Sequence, residues 1–125
     1  MSARLALTLA AVLLFVAAAA GAFGAHAAKA LIAPDMIAAY QTAVQYHFWH
    51  GLGLLAVGAL IAQRPASGLL RVVAWLLVAG IVLFSGSLYV VALTGVRGFG
   101  AVTPIGGVAL LAAWAALAWA AFRDA

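Results

Sequence analysis

Four apolar runs, at about 5–24, 44–62, 69–93 and 105–122, take up most of this 125-residue chain. Each is close to the ~20 residues that an α-helix needs to cross a hydrocarbon layer of ~30 Å. A backbone inside lipid must satisfy its own hydrogen bonds, so the pattern predicts an all-α integral membrane bundle of four transmembrane helices. Between the runs lie only short connections, which predicts one domain over 1–125 and no separate soluble domain. Composition agrees, since 70% of residues are hydrophobic and 6% charged, against about a quarter charged in soluble domains.

The few charges carry topology. Arg4, Arg64, Arg71 and Arg123 fall on one side of a four-span arrangement, and Lys29 and Arg97 on the other. Basic residues favour the cytoplasm, which predicts that both termini are cytoplasmic. The net charge of +4 sits at segment ends and forms no nucleic-acid footprint, so no nucleic-acid partner is expected. The chain has no cysteine, which removes disulfides, thiolate nucleophiles and Cys-ligated metals, and leaves the redox compartment open. The first run, with Arg4 before it and Ala25-His26-Ala27 after it, has the outline of a signal peptide. It exceeds the usual signal core of ~7–15 residues, and three more apolar runs follow, so a retained helix is expected.

The connections contain helix signals. Segment 63–68, with Arg64, Pro65, Ser67 and Gly68, reads as a tight turn between antiparallel neighbours. Asp35, following Pro34, is placed to cap a helix beginning near Met36. That helix runs on to Ala62, about 40 Å at 1.5 Å per residue, and should tilt, project from the hydrocarbon or kink at Gly51 or Gly53. Thr103-Pro104 reads as an N-cap followed by a proline in the first turn of the fourth helix.

Small residues are concentrated inside the runs. Gly21, Gly24, Gly80, Gly86, Gly106 and Gly107 are candidate helix-packing positions, because helices in lipid associate through close backbone approach. Glycine weakens a helix, so its presence there needs a packing reason more than alanine does.

Polar side chains collect toward one end of the bundle. His26, Gln45, His47, His50, Ser85, Ser87, Tyr89 and Thr103 all fall in the outer half, and the inner half is nearly featureless. On a 3.6-residue helix His47 and His50 share a face with Ala43, Tyr46 and Leu54, while Gln45 and Trp49 point elsewhere. Two readings stay open: interhelical hydrogen bonding, or a polar site for a small solute, an ion or a proton. No metal site is expected, since the histidines have no carboxylate or thiolate beside them. Haem, a further alternative, needs axial ligands from opposite sides, and His47 and His50 lie on one face. Asp35 and Asp124 fall in aqueous positions, which leaves no buried acid for coupled transport. Leu83 stands two residues before Ser85, where an intramembrane serine protease of Gly-x-Ser-Gly type needs glycine, and no catalytic constellation emerges. Tyr40, Tyr46, Trp49 and Tyr89 near one interface and Trp75 and Trp119 near the other read as aromatic belts.

Four motifs occur in order: Gly21-Ala22-Phe23-Gly24-Ala25-His26, Thr42-Ala43-Val44-Gln45-Tyr46-His47 with His50 beyond it, Leu83-Phe84-Ser85-Gly86-Ser87-Leu88-Tyr89, and Gly100-Ala101-Val102-Thr103-Pro104-Ile105-Gly106-Gly107. Together they resemble the domain-of-unknown-function 423 family, related to the eukaryotic transmembrane protein 256 group, over about Gly21 to Trp119. The resemblance implies a small multi-pass bacterial inner-membrane protein without an established activity or cofactor. It coincides with His26, Gln45, His50, Ser85, Ser87, Thr103 and Pro104 but brings no role for them. The expectation is a non-enzymatic accessory component in the lipid bilayer, packing as a homo-oligomer or within a larger membrane complex.

Overall fold

The computed structural model describes residues 1–124 and is helical throughout, with no strand among those residues. Four long helices succeed one another: α1 (Ala3–His26), α2 (Ile37–Gln63), α3 (Gly68–Thr94) and α4 (Thr103–Arg123). Single helical turns at Ala28–Leu31, Pro34–Met36 and Arg97–Ala101 fill the α1–α2 and α3–α4 connections. Three stretches, Ala3–His26, Gly68–Thr94 and Arg97–Arg123, are long and apolar enough to cross a membrane. The remaining long helix, α2, matches them in length but carries Gln41, Gln45, His47 and His50 in its outer half.

Close contacts set the packing. Leu7 lies against Gly58, Leu14 against Gly51, and Tyr40 against Gly24, so α1 and α2 run antiparallel. Leu110 meets Gly80, and the Leu83–Phe84 backbone meets Gly106, so α3 and α4 do the same. Leu77 and Trp114 both reach Gly53, which brings α2 against the second pair. Ten residues of α2 are buried, as many as on α3 and more than on α1 or α4. A helix walled by protein on most sides can carry polar groups that a lipid-facing helix cannot. The outer surfaces are apolar instead: Phe15 on α1 and Phe122 on α4 are 76% and 77% exposed. The inner core is formed by Ala6, Ala10, Leu54, Val57, Ile61, Leu70, Val73, Leu77, Leu110 and Ala113.

Three local expectations are corrected. Asp35 makes no helix cap; α2 starts at Ile37, and the carboxylate instead accepts from Arg97 at 3.0 Å, joining the two outer connections. Thr103 is not the cap of α4 but its first residue, after Val102, and Pro104 follows it in the first turn. In both places a partner distant in sequence takes the polar group that a local cap would have used. Tyr40 does not stand in an interfacial belt: it is 3% exposed, and its hydroxyl donates to the Ala20 carbonyl across the α1–α2 contact. The helical run of α2 is uninterrupted through Gly51 and Gly53, where close contacts to Leu14 and Trp114 explain the missing side chains.

The 63–68 turn does form, and Ser67 caps α3 by accepting from the Leu70 N–H at 3.3 Å. At the end of the bundle that holds this turn, Arg64 lies 3.8 Å from Asp124, so α2 and α4 finish side by side.

Candidate outer polar site

α3 is not a uniform helix. From Ile81 to Ser85 it widens into a π turn, in which the Gly86 N–H donates to the Ile81 carbonyl five residues back. Such turns are rare and add a residue to one face, re-aiming the side chains beyond them. Here the turn lies against the Gly106 region of α4, and Ser85, at its end, crosses to α2. The Ser85 hydroxyl, 1% exposed, donates to the Ala43 carbonyl at 2.8 Å.

Two residues further, the Ser87 hydroxyl donates to the Phe84 carbonyl at 2.9 Å and lies 2.6 Å from the Thr103 hydroxyl, which joins α3 to the start of α4. Tyr89 reaches the other way: its hydroxyl is 2.8 Å from His47 Nδ1 and links α3 to α2. The Tyr89 ring also packs on Tyr40, with centroids 5.7 Å apart. Tyr89 is therefore a half-buried side chain bonded to a neighbouring helix, which revises its place as a simple interfacial anchor.

The two histidines have different surroundings. His47 is 3% exposed, and its Nε2 is fully buried without a hydrogen-bond partner among the described residues. His50 is 6% exposed and places Nδ1 2.7 Å from the Tyr46 carbonyl one turn back. A carbonyl only accepts, so His50 Nδ1 carries the hydrogen and Nε2 of the neutral ring holds the lone pair. The imidazole lies between two aromatic rings, nearly parallel to Tyr46 at 5.6 Å and tilted to Trp114 at 5.7 Å.

The other sequence candidates stand apart. His26 is exposed at the end of α1, and Gln45 is exposed on α2 beside an outer groove lined by Gly21, Gly24, Tyr40 and Gln41. Among the packing glycines, Gly24, Gly80 and Gly106 face atoms nearer than 3.0 Å to any added Cβ, Gly21 and Gly107 have ordinary contacts, and Gly86 has nothing within 4 Å. Close approach also occurs at Gly51 and Gly58, neither of which the sequence marked as a packing position. Their spacing of seven along α2, matched by Leu7 and Leu14 on α1, is the signal that marks them. No group of three or more His, Asp or Glu side chains gathers as a metal site among the described residues.

If the Ser85 bond ties α3 to α2, Ser85→Ala should lower stability modestly, by about 0.6 kcal/mol, the mean for such bonds between membrane helices. A thermal midpoint in mild detergent measures it. A drop beyond about 2 kcal/mol would assign Ser85 more than one hydrogen bond.

A family model described as "Protein of unknown function (DUF423)" matches residues 20–107. The chain is 43% identical over 103 residues to the UPF0382 membrane protein YwdK of Bacillus subtilis (strain 168), covering 82% of this chain and 84% of the relative. It is 39% identical over 123 residues to the UPF0382 inner membrane protein YgdD of Escherichia coli (strain K12), covering 98% and 93%. Another relative, the UPF0382 membrane protein SSP2132 of Staphylococcus saprophyticus, is 43% identical over 103 residues, 82% of this chain and 84% of its own. No solved structure matches.

Proposed function

This chain belongs to the DUF423 family of bacterial membrane proteins, and we propose that it is a non-enzymatic structural or accessory component of the inner membrane. In this reading it spans four times with both termini in the cytoplasm. It packs through small-residue faces with a second copy or within a larger membrane complex. One observation carries the reading: the buried hydroxyls of the outer half are engaged in bonds between helices. Ser85 bonds across to α2, and Ser87 meets Thr103 of α4. Groups spent in this way hold a bundle together and are not free to bind a solute. α2, less apolar than its neighbours, crosses with α1 on one side and the α3–α4 pair on the other, and the grouping of Arg4, Arg64, Arg71 and Arg123 supports the orientation.

Extraction of the tagged full chain in mild detergent tests the proposal, with intact mass, visible spectrum and co-eluting proteins read from one sample. The expected result is a colourless protein in a defined oligomer or with a stoichiometric partner. A strictly monomeric, partner-free chain overturns the accessory role, and a Soret band replaces it with haem binding.

A second reading, binding or transport of a proton or small solute, draws on the buried, unpartnered Nε2 of His47. It requires a pH-dependent flux in proteoliposomes that His47→Ala abolishes. Absence of flux in the wild-type protein removes it.

A further inference from the structure

We propose that His50 is the hydrogen-bond acceptor of a small ligand site that takes a planar, membrane-soluble hydroquinone or phenol. The site goes beyond the packing role and lies apart from the His47–Tyr89 contact. It is a cleft of about 330 Å³ between α2, the π turn of α3 and the outer half of α4. That volume lies at the small end of ligand pockets, enough for one substituted ring. Val108 and Leu111, 65% and 72% exposed, are among its lining, so it opens on an apolar face of the bundle, which in the proposed four-span arrangement meets lipid.

Three features define the occupant. First, the acceptor is prepared: the Tyr46 carbonyl holds the hydrogen on Nδ1, which fixes the ring and turns the Nε2 lone pair outward. Among the described residues Nε2 has no hydrogen-bond partner, yet it is not sealed off as the His47 Nε2 is. Second, the walls are aromatic. Tyr46 stacks on the imidazole, Phe84 lies 4.4 Å from Tyr46 between centroids, and Trp114 closes the inner side. Such walls favour a flat ring in offset or edge contact. Third, no charged side chain lines the cleft among the described residues, so a neutral donor is preferred over an ammonium or a carboxylate. A phenolic O–H meets all three conditions, donating to Nε2 while its ring lies among the aromatics and any tail runs out into lipid.

Glycine shapes the opening. Gly107 lies on the cleft with its missing side chain facing the Phe84 ring, 3.7 Å from where a Cβ would stand. Phe84 itself is carried on the π turn, so the widened helix that Gly106 accommodates also sets this wall.

The test uses the full chain in phosphatidylcholine nanodiscs, kept anaerobic, with tryptophan emission followed as a decyl-substituted benzohydroquinone is added. A parallel titration uses its dimethyl ether, which keeps ring and tail but has no O–H. The expected result is saturable quenching with the hydroquinone bound about tenfold more tightly, the fold-change equal to one buried hydrogen bond. His50→Leu should abolish that preference, and His50→Gln should retain part of it, because its amide oxygen accepts. Linear quenching without saturation means partition into the bilayer and overturns the site. Equal affinity for hydroquinone and ether, or an intact preference in His50→Leu, overturns the role of Nε2. The comparison of the two probes on the wild-type protein stands even where a variant fails to fold.

Discussion

Gly106→Ala should lower the stability of the folded chain by about 3 kcal/mol, at the upper end of overpacking costs. An added Cβ would stand 2.3 Å from the Phe84 nitrogen, 2.7 Å from the Leu83 carbonyl carbon and 2.8 Å from the Phe84 Cα. All three are main-chain atoms of the π turn, and a backbone cannot rotate aside as a side-chain tip can. The helices must separate, and the van der Waals contact that holds them in lipid is lost along the crossing. Gly86→Ala is the matched control. Gly86 has nothing within 4 Å and ordinary helical dihedrals, so alanine there should be neutral or stabilising by up to about 1 kcal/mol. Both variants are read as thermal midpoints of the monodisperse fraction in mild detergent. An unchanged midpoint for Gly106→Ala would falsify the close α3–α4 crossing.

The contrast between these glycines marks how far the sequence can be read. Helix positions follow from the apolar runs, because length and lipid compatibility alone require helices there, and the observed ends extend the expected runs by a few residues, most at the start of α2. Which glycines touch a neighbour depends on helix rotation and register, and a run as rich in Gly and Ala as Ala17–Ala25 looks alike on every face. Gly106 and Gly86 therefore read alike in sequence, while Gly51 and Gly58 read as kink points or not at all. The two missed caps have another cause. Asp35 and Thr103 stand where local rules put a cap, but Arg97 lies 62 residues from Asp35, and Ser87 lies 16 from Thr103. The π turn leaves no mark, since no proline accompanies it. The outer polar cluster was legible as a region because burying hydroxyls and imidazoles in lipid demands partners. The pairing was not, and His47 with Tyr89 and His50 with its own helix required the fold.

A second crossing point separates side-chain crowding from backbone crowding on the same helix pair. At Gly80 an added Cβ would lie 2.3 Å from Leu110 Cδ2 and 2.6 Å from its Cγ, while the nearest main-chain atom, the Leu110 nitrogen, is 3.2 Å away. Most of that clash belongs to a side chain that can be shortened. Gly80→Ala alone should cost about 2 kcal/mol, and Leu110→Ala, which empties a position only 3% exposed, about 2–3 kcal/mol. Combined, the new methyl enters the space that Leu110 leaves, so the double variant should be at least about 1 kcal/mol more stable than the two losses added together. The same cycle at the other crossing should fail: Phe84→Ala cannot relieve Gly106→Ala, because the obstructing atoms there are the nitrogen and Cα of Phe84 itself. Thermal midpoints of the two cycles, measured in one detergent, decide the matter. Rescue at Gly80 with none at Gly106 places the α3 backbone directly on α4 at the π turn and a side-chain layer between them one turn below. Equal rescue at both means that the helices stand further apart at Gly106, with Phe84 and not its backbone as the contact.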